Sequence, residues 1–240
     1  LSRGERRRLL GAARALSAGK VPLIAGCGSA DTKAACTLTA DAVACGADAL
    51  LVITPYCNKG TADGILEHYR RVADAACGRP VILYNIPSRT GVDLTVAQYA
   101  ALAEIPHICA VKEASGNMAK LTRLCADGRL AVYSGNDDQI LPIMAVGGHG
   151  VISVLSNLAP AAVSAMTHAA ADGDFATARH LAYKYARLIS LLFAETNPAP
   201  LKYALELLGL CRGEVRLPLA EVGDDLKAAL RGELTALGML

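Results

Sequence analysis

The sequence predicts an α/β protein with a parallel β-sheet. Short apolar runs recur along the first two thirds of the chain, and each is followed by a stretch with helical periodicity. The runs are continuously apolar rather than alternating, which is typical of strands buried on both faces. Strands and helices that alternate at this spacing predict right-handed βαβ units. The six predicted strands are residues 21–25, 49–54, 81–85, 108–112, 131–135 and 150–154.

Helical patterns separate these strands and then continue alone. The stretches 32–44, 64–76 and 96–103 are amphipathic, and Asp31, Thr95 and Asn117 are suitable helix N-caps. Gly46 and Gly78 fit helix C-termini. Four more helices are predicted after the last strand, over residues 160–171, 175–195, 201–208 and 222–237.

Six parallel strands fit either an open doubly wound sheet or most of a barrel. Gly26-Cys27-Gly28-Ser29 follows the first strand, but a third glycine at the GxGxxG spacing is missing, so a phosphate-binding turn is weakly supported. The chain opens at Leu1 within a helical pattern. We therefore expect a TIM (β/α)8 barrel lacking its first two strands. Residues 1–157 would hold the third to eighth strands, and residues 158–240 would hold C-terminal helices.

The composition limits the kinds of partner and site that we expect for this protein. The 240 residues are 53% hydrophobic and 19% charged, with a formal net charge of +2. Such a balance predicts neither a nucleic acid nor a membrane surface as partner. The eight cysteines form no CxxC pair and accompany no histidine cluster, so we expect no metal site and mostly buried, reduced thiols. We expect a cytoplasmic protein.

The carboxyl ends of the predicted strands carry the candidate site, because parallel sheets and barrels bind their ligands there. Lys112 ends a buried strand, where desolvation favours a neutral, nucleophilic amine. Tyr84 ends the preceding strand and can both donate and accept a proton. Arg89 lies in the loop after Tyr84, where a guanidinium suits a carboxylate. The alternatives are a lysine that reaches solvent or pairs with Glu113, a solvated phenol and a solvated loop arginine.

Five sequence blocks that include these residues occur in order along the chain. They are Thr54-Pro55-Tyr56, Tyr84 to Gly91, Val111 to Asn117, Ser134 to Asp137, and Gly147 to Ser153. Together they resemble the dihydrodipicolinate synthase and N-acetylneuraminate lyase family of class I aldolase barrels. The resemblance spans essentially the whole chain, and Ser88-Arg89 favours the synthase branch.

The resemblance implies a role for each candidate residue. Lys112 would form an imine with pyruvate while Tyr84 relays protons, and Arg89 would bind the carboxylate of aspartate 4-semialdehyde. Gly135 and the main chain of Ile152 would line the pocket. The protonated imine is the electron sink, so no cofactor and no metal are expected. The resemblance also implies a homo-oligomer, a dimer of dimers.

Two departures from the family pattern affect these expectations. A Gly-Thr-Thr-Gly-Glu motif that binds the keto-acid carboxylate is absent from this sequence. Cys57 follows Tyr56 where the family usually has a second tyrosine that completes the relay at a subunit interface, and a thiol is a weaker hydrogen-bonding group. Two alternatives therefore stay open, a pyruvate-dependent sugar-acid aldolase and a non-catalytic paralogue.

Overall fold

A computed structural model describes residues 1–17 and 19–240 of the chain. These residues form two compact units, residues 1–135 with 146–148, and residues 136–145 with 149–240. This division falls earlier along the chain than the predicted boundary after residue 157. The α/β class is confirmed, since six strands follow one another in sheet order as they do in sequence.

The first unit alternates helices and parallel strands. Four parallel pairings join its five strands in the order in which they occur along the chain. Its elements are α1 (Arg3–Ser17), β1 (Ile24–Gly26), α2 (Thr32–Ala44), β2 (Ala49–Ile53), α3 (Ala62–Ala75), β3 (Val81–Asn85), α4 (Pro87–Thr90), α5 (Val96–Ala103), β4 (Ile108–Glu113), α6 (Met118–Asp127) and β5 (Ala131–Ser134).

The second unit is mainly helical. Its core contains the fully buried side chains of Leu155, Leu188, Leu192 and Leu230. Its elements are α7 (Ile140–Ala145), β6 (Gly150–Val151), α8 (Pro160–Ala171), α9 (Phe175–Leu192), α10 (Ala199–Leu207) and α11 (Asp224–Ala236). The four predicted C-terminal helices are confirmed, although the second of them ends three residues before the predicted position.

The two terminal strands are shorter than predicted. β1 begins at Ile24 rather than at residue 21, and β6 covers only Gly150 and Val151. Pro22 explains part of the difference at β1, because it has no backbone N–H to donate to a neighbouring strand.

The predicted helix caps are confirmed. The Asp31 side chain accepts a 2.7 Å hydrogen bond from the Ala34 N–H, and Asn117 accepts one of 3.1 Å from the Lys120 N–H. Thr95 forms a capping box with Gln98. These side chains satisfy backbone N–H groups that have no partner inside the first helical turn, and so they fix where each helix leaves its strand.

Gly28 serves chain packing. A Cβ atom at this position would lie 2.6 Å from the Ile53 nitrogen, so only glycine lets the chain after β1 pass this close to β2. The neighbouring Cys27 N–H continues the strand pairing by donating to Leu51 O at 2.9 Å. Close packing against β2 therefore explains Gly28 without a phosphate ligand.

The prediction of mostly buried thiols is wrong. All eight cysteines are unpaired, but only Cys27 is buried, and Cys57, Cys77, Cys109 and Cys211 are exposed. Apolar sequence context does not fix which side of an element a small side chain occupies. Burial raises the pKa of the Cys27 thiol to about 11.

Within the described part of the chain, no helix combines the length and apolar character needed to span a bilayer.

Candidate active site

The carboxyl ends of β3 and β4 bring Lys112 and Tyr84 together. The two residues are direct partners in the parallel register, so their side chains leave the sheet on the same face. The Lys112 Nζ lies over the Tyr84 ring, 4.4 Å from its centroid. A protonated amine above an aromatic face is held by about 0.5–2 kcal/mol, depending on its hydration. The sequence-predicted pair therefore lies in contact, and both side chains are half-buried.

The surroundings of Tyr84 favour its neutral, protonated phenol. Burial raises the pKa of Tyr84, and the positive charge of Arg89 partly opposes that effect. A phenol that stays protonated near neutral pH can donate its proton and then accept it back. This behaviour suits a proton relay beside an amine.

Arg89 lies within α4, the short helix that follows β3. The helix is fixed by Thr90, whose hydroxyl donates to the carbonyls of Ile86 and Val92, and by Gly91, which adopts a φ of 71° at the helix end. Arg89 itself is exposed. The Arg89 guanidinium therefore lies at a solvent-accessible position. It is close enough to Tyr84 for its positive charge to influence the Tyr84 hydroxyl.

Gly135 lies directly against Lys112. A Cβ atom on Gly135 would be 3.2 Å from the Lys112 Cε and 2.6 Å from the Ala114 Cβ, so a larger residue would displace the lysine. The Gly135 N–H donates to Glu113 O at 2.8 Å. Ile152 belongs to the second unit, where it follows β6 directly and is half-buried. The pocket-lining role of Ile152 stays a prediction.

Tyr56 and Cys57 lie in the loop after β2, and both are exposed. Cys57 has a φ of 75°, which is unusual for a residue other than glycine. Its N–H donates to Thr90 O at 3.4 Å, so the loop lies beside the helix that carries Arg89. The relay or interface role of these two residues stays a prediction.

Two features of the site were missed in the sequence. Tyr133 on β5 is the register partner of Lys112 on the side opposite Tyr84, so the lysine stands between two tyrosine positions. Its place immediately before Ser134-Gly135 at a strand end was the available signal. The second feature is Glu113, considered only as a partner for Lys112. Its side chain points to the other face of the sheet and is completely buried.

Among residues 1–17 and 19–240, no three His, Cys, Asp or Glu side chains are grouped in a way that could hold a metal ion.

Comparisons with known proteins identify the family of the chain. The model of the dihydrodipicolinate synthetase family matches residues 1–237. The chain is 46% identical over 229 residues to the 4-hydroxy-tetrahydrodipicolinate synthase of Methanosarcina mazei, covering 94% of this chain and 78% of the relative.

Solved structures agree as well. The dihydrodipicolinate synthase of Aquifex aeolicus superposes with a TM-score of 0.96 at 40% identity, covering 100% of this chain and 82% of that one. The chloride-inhibited enzyme of Acinetobacter baumannii, complexed with pyruvate, gives a TM-score of 0.97 at 39% identity, with coverage of 100% and 83%. With its sequence motifs, its strand order and these similarities in agreement, the chain belongs to the dihydrodipicolinate synthetase family.

Proposed function

We propose that this chain is a 4-hydroxy-tetrahydrodipicolinate synthase, which condenses pyruvate with L-aspartate 4-semialdehyde through an imine on Lys112. One observation carries the proposal. The Lys112 amine lies 4.4 Å from the centre of the Tyr84 ring, at the carboxyl ends of adjacent parallel strands. A nucleophilic amine beside a proton-transferring phenol is the arrangement that imine formation requires.

In the first half of the reaction, the Lys112 amine attacks the keto carbon of pyruvate. The resulting carbinolamine loses water, with Tyr84 giving a proton to the departing hydroxyl group and later recovering one. The protonated imine then withdraws an electron pair as the methyl group of the bound pyruvate gives a proton to Tyr84. An enamine forms, and no metal or organic cofactor is needed for this step.

In the second half, the enamine carbon attacks the aldehyde of aspartate semialdehyde and restores the imine. Arg89 binds the carboxylate of this second substrate, since a guanidinium can donate two parallel hydrogen bonds to a carboxylate. The amine of the condensed product then replaces the Lys112 nitrogen on the imine carbon. The ring closes, and Lys112 leaves as a free amine.

Gly135 supports the lysine in this scheme. Its hydrogen atom occupies the place where a Cβ would press on the Lys112 Cε, so the side chain keeps the room it needs to change from amine to imine. Tyr56 and Cys57 are proposed to continue the relay from Tyr84. The Cys57 thiol is exposed, so water can complete that connection.

Membership of the family also supports a proposal about the larger assembly. We propose that β1 to β6 correspond to the third to eighth strands of a (β/α)8 barrel, and that the protein forms a dimer of dimers. Ile24 at the β1 edge is 45% exposed and the preceding Val21 is 60% exposed. Apolar side chains beside the edge strand of a sheet favour pairing of that edge with another strand.

Reductive trapping tests the proposal. Borohydride added with pyruvate is expected to convert Lys112 to a stable secondary amine whose mass gains the atoms of pyruvate less one oxygen, located by peptide mapping. The variant Lys112→Arg should gain no mass, while Lys59→Arg, an exposed lysine, should label like the parent. The proposal is abandoned when Lys112 stays unlabelled in a folded sample.

A turnover assay then separates the substrates. The protein is expected to consume aspartate semialdehyde with pyruvate and to leave N-acetylneuraminate and keto-deoxy sugar acids intact. The reverse preference would assign the imine to sugar-acid cleavage. An Arg89→Leu variant should lose affinity for aspartate semialdehyde while its pyruvate imine still forms.

A further inference from the structure

A polar cluster that is buried except at Asp93 lies behind the site, on the other face of β3 and β4. We call it the Glu113 cluster, and it consists of Asn85, Asp93, Tyr99, Glu113 and Lys120. Successive residues of a strand point to opposite faces, so Asn85 and Glu113 point away from the face used by Tyr84 and Lys112. The two pairs are consecutive in the register, Tyr84 with Lys112 and then Asn85 with Glu113.

Glu113 is the centre of this cluster. Its Oε1 accepts hydrogen bonds from the Ser115 N–H at 2.7 Å and the Asn85 Nδ2 at 3.1 Å. Its Oε2 accepts one of 2.5 Å from the Tyr99 hydroxyl and lies 3.3 Å from the Lys120 Nζ. Glu113 has no solvent exposure, so these groups replace water completely.

Asn85 and Lys120 connect the carboxylate to the segment that precedes α5. The Asn85 amide donates to Asp93 at 2.8 Å and accepts from the Leu94 N–H at 3.1 Å. The Lys120 ammonium forms an ion pair with Asp93 and donates to Leu94 O at 3.3 Å. One set of contacts therefore joins β3, β4, α5 and α6.

The backbone pairing explains why such a link is useful. Val81 pairs with Ile108 but Ile82 pairs with Ala110, so β4 contains one additional residue at Cys109 and the register shifts there. Beyond this irregularity, regular pairing from the start of the strands no longer dictates the register at their ends. A slip of one residue would turn Lys112 to the opposite face.

We propose that the Glu113 cluster locks β4 in the register that places Lys112 opposite Tyr84, which makes Glu113 and Tyr99 positioning residues for imine formation. The consequence for catalysis rests on the proposed function, whereas the lock itself does not. A buried ion pair adds little net stability over apolar packing, so its geometric specificity is the more useful property here. The side chains involved fit only one alignment of the two strands.

The variant Tyr99→Phe tests the lock with the least disturbance, because it removes one donor to Glu113 and keeps the ring. Leu188→Ala is the control, since Leu188 is a fully buried residue of the second unit whose truncation lowers stability through packing alone. Imine formation is measured by trapping with borohydride over a range of pyruvate concentrations. The folded fraction of both variants is followed by circular dichroism at the assay temperature.

Tyr99→Phe is expected to slow imine formation at saturating pyruvate by about tenfold, since small displacements of a reacting group have effects of this size. The pyruvate concentration at half-saturation should stay within about twofold of the parent. Leu188→Ala should leave the rate per folded molecule unchanged. Replacing Glu113 should slow imine formation more than Tyr99→Phe does. Where both variants fold, Glu113→Ala should form the imine more slowly than Glu113→Gln.

Amide hydrogen exchange tests the lock without any catalysis. The bonds from the Ala114 N–H to Asn85 O (2.9 Å) and from the Gly135 N–H to Glu113 O (2.8 Å) should open more often in Tyr99→Phe. The Cys27 N–H bond to Leu51 O should exchange as in the parent. Unchanged exchange at Ala114 and Gly135 overturns the lock, as does a rate loss that Leu188→Ala reproduces. Faster exchange in a protein that forms no imine would keep the lock and reject the proposed function.

Discussion

The two faces of β3 and β4 differ in how their polar groups are treated. On one face, Tyr84 and Lys112 are half-buried, and the Lys112 Nζ lies 4.4 Å from the centre of the Tyr84 ring. On the other face, one residue further along each strand, Asn85 and Glu113 have no solvent exposure and are fully bonded. The difference indicates a division of work. One face stays accessible for chemistry, and the other fixes the strands that carry it.

The largest expected effect is on the accessible face. Lys112→Ala should lower imine formation by about 10⁴-fold or more, because the nucleophile is removed. Its free energy of unfolding should change by about 1 kcal/mol or less, since a cation–π contact at a half-buried position contributes about this much. Reductive trapping and urea denaturation measure the two quantities. A large loss of stability would erase the distinction between the faces.

Glu113→Ala, in contrast, should have a large effect on stability. It leaves the Lys120 ammonium and the Asn85 amide without their buried acceptor, so the free energy of unfolding should fall by about 3–5 kcal/mol. Glu104→Ala is the control, because Glu104 pairs with Arg129 at 3.3 Å and its side chain is 74% exposed. That change should cost about 1 kcal/mol or less. Equal effects at the two positions would show that the Glu113 cluster carries no special weight.

Tyr84→Phe separates positioning from proton transfer on the accessible face. The phenylalanine ring still lies under the Lys112 amine, but the hydroxyl is gone. Imine formation should fall by about 10²-fold while the free energy of unfolding changes little. Rate measurements as a function of pH are informative here, because the limb that reports the phenol should disappear. A parent-like rate would remove Tyr84 from the proton relay.

A smaller effect concerns His68, a buried polar group with far fewer bonds than Glu113. Its Nδ1 lies 2.9 Å from the Thr32 hydroxyl, and its Nε2 has no hydrogen-bond partner within residues 1–17 and 19–240. Burial lowers the pKa of His68 below its usual value of 6.5. The unfolded chain therefore takes up a proton at a higher pH than the folded chain does.

Stability should consequently fall as the pH drops below about 6.5 and should level off below the folded-state pKa, with a slope of at most about 1.4 kcal/mol per pH unit from this group. Thermal unfolding at pH 7.5 and pH 5 would measure the loss. His68→Leu should reduce it, and His107→Gln at an exposed position should leave it unchanged. The same loss in His68→Leu would assign the pH dependence to other groups.

Local signals predicted most of the fold correctly. The helices Thr32–Ala44 and Val96–Ala103 have the predicted bounds because their N-caps, Asp31 and Thr95, act within three residues of the helix start. Strand β3 also has its predicted bounds. Errors concentrated where burial depends on distant residues, as with the exposed thiols of Cys57 and Cys109.

The roles of the candidate site residues stay predictions, but part of their arrangement could be expected from the sequence. Lys112, Tyr84 and Arg89 could be identified because the ends of parallel strands converge at one edge, whatever the details of packing. Tyr133 and the Glu113 cluster could not, since their relation to Lys112 depends on register. Cys109 adds one residue to β4 where its register with β3 shifts. The local pattern of residues 108–113 does not predict this additional residue.

The sequence by itself determined the order of strands and helices, the caps and the amine and phenol at neighbouring strand ends. These properties depend on residues close together in the chain. Only the tertiary structure decided that Lys112 lies over Tyr84 and that Glu113 is buried among Asn85, Tyr99 and Lys120. The physical reason is that a shift of one residue between two strands exchanges their faces, and only contacts between distant segments select one register.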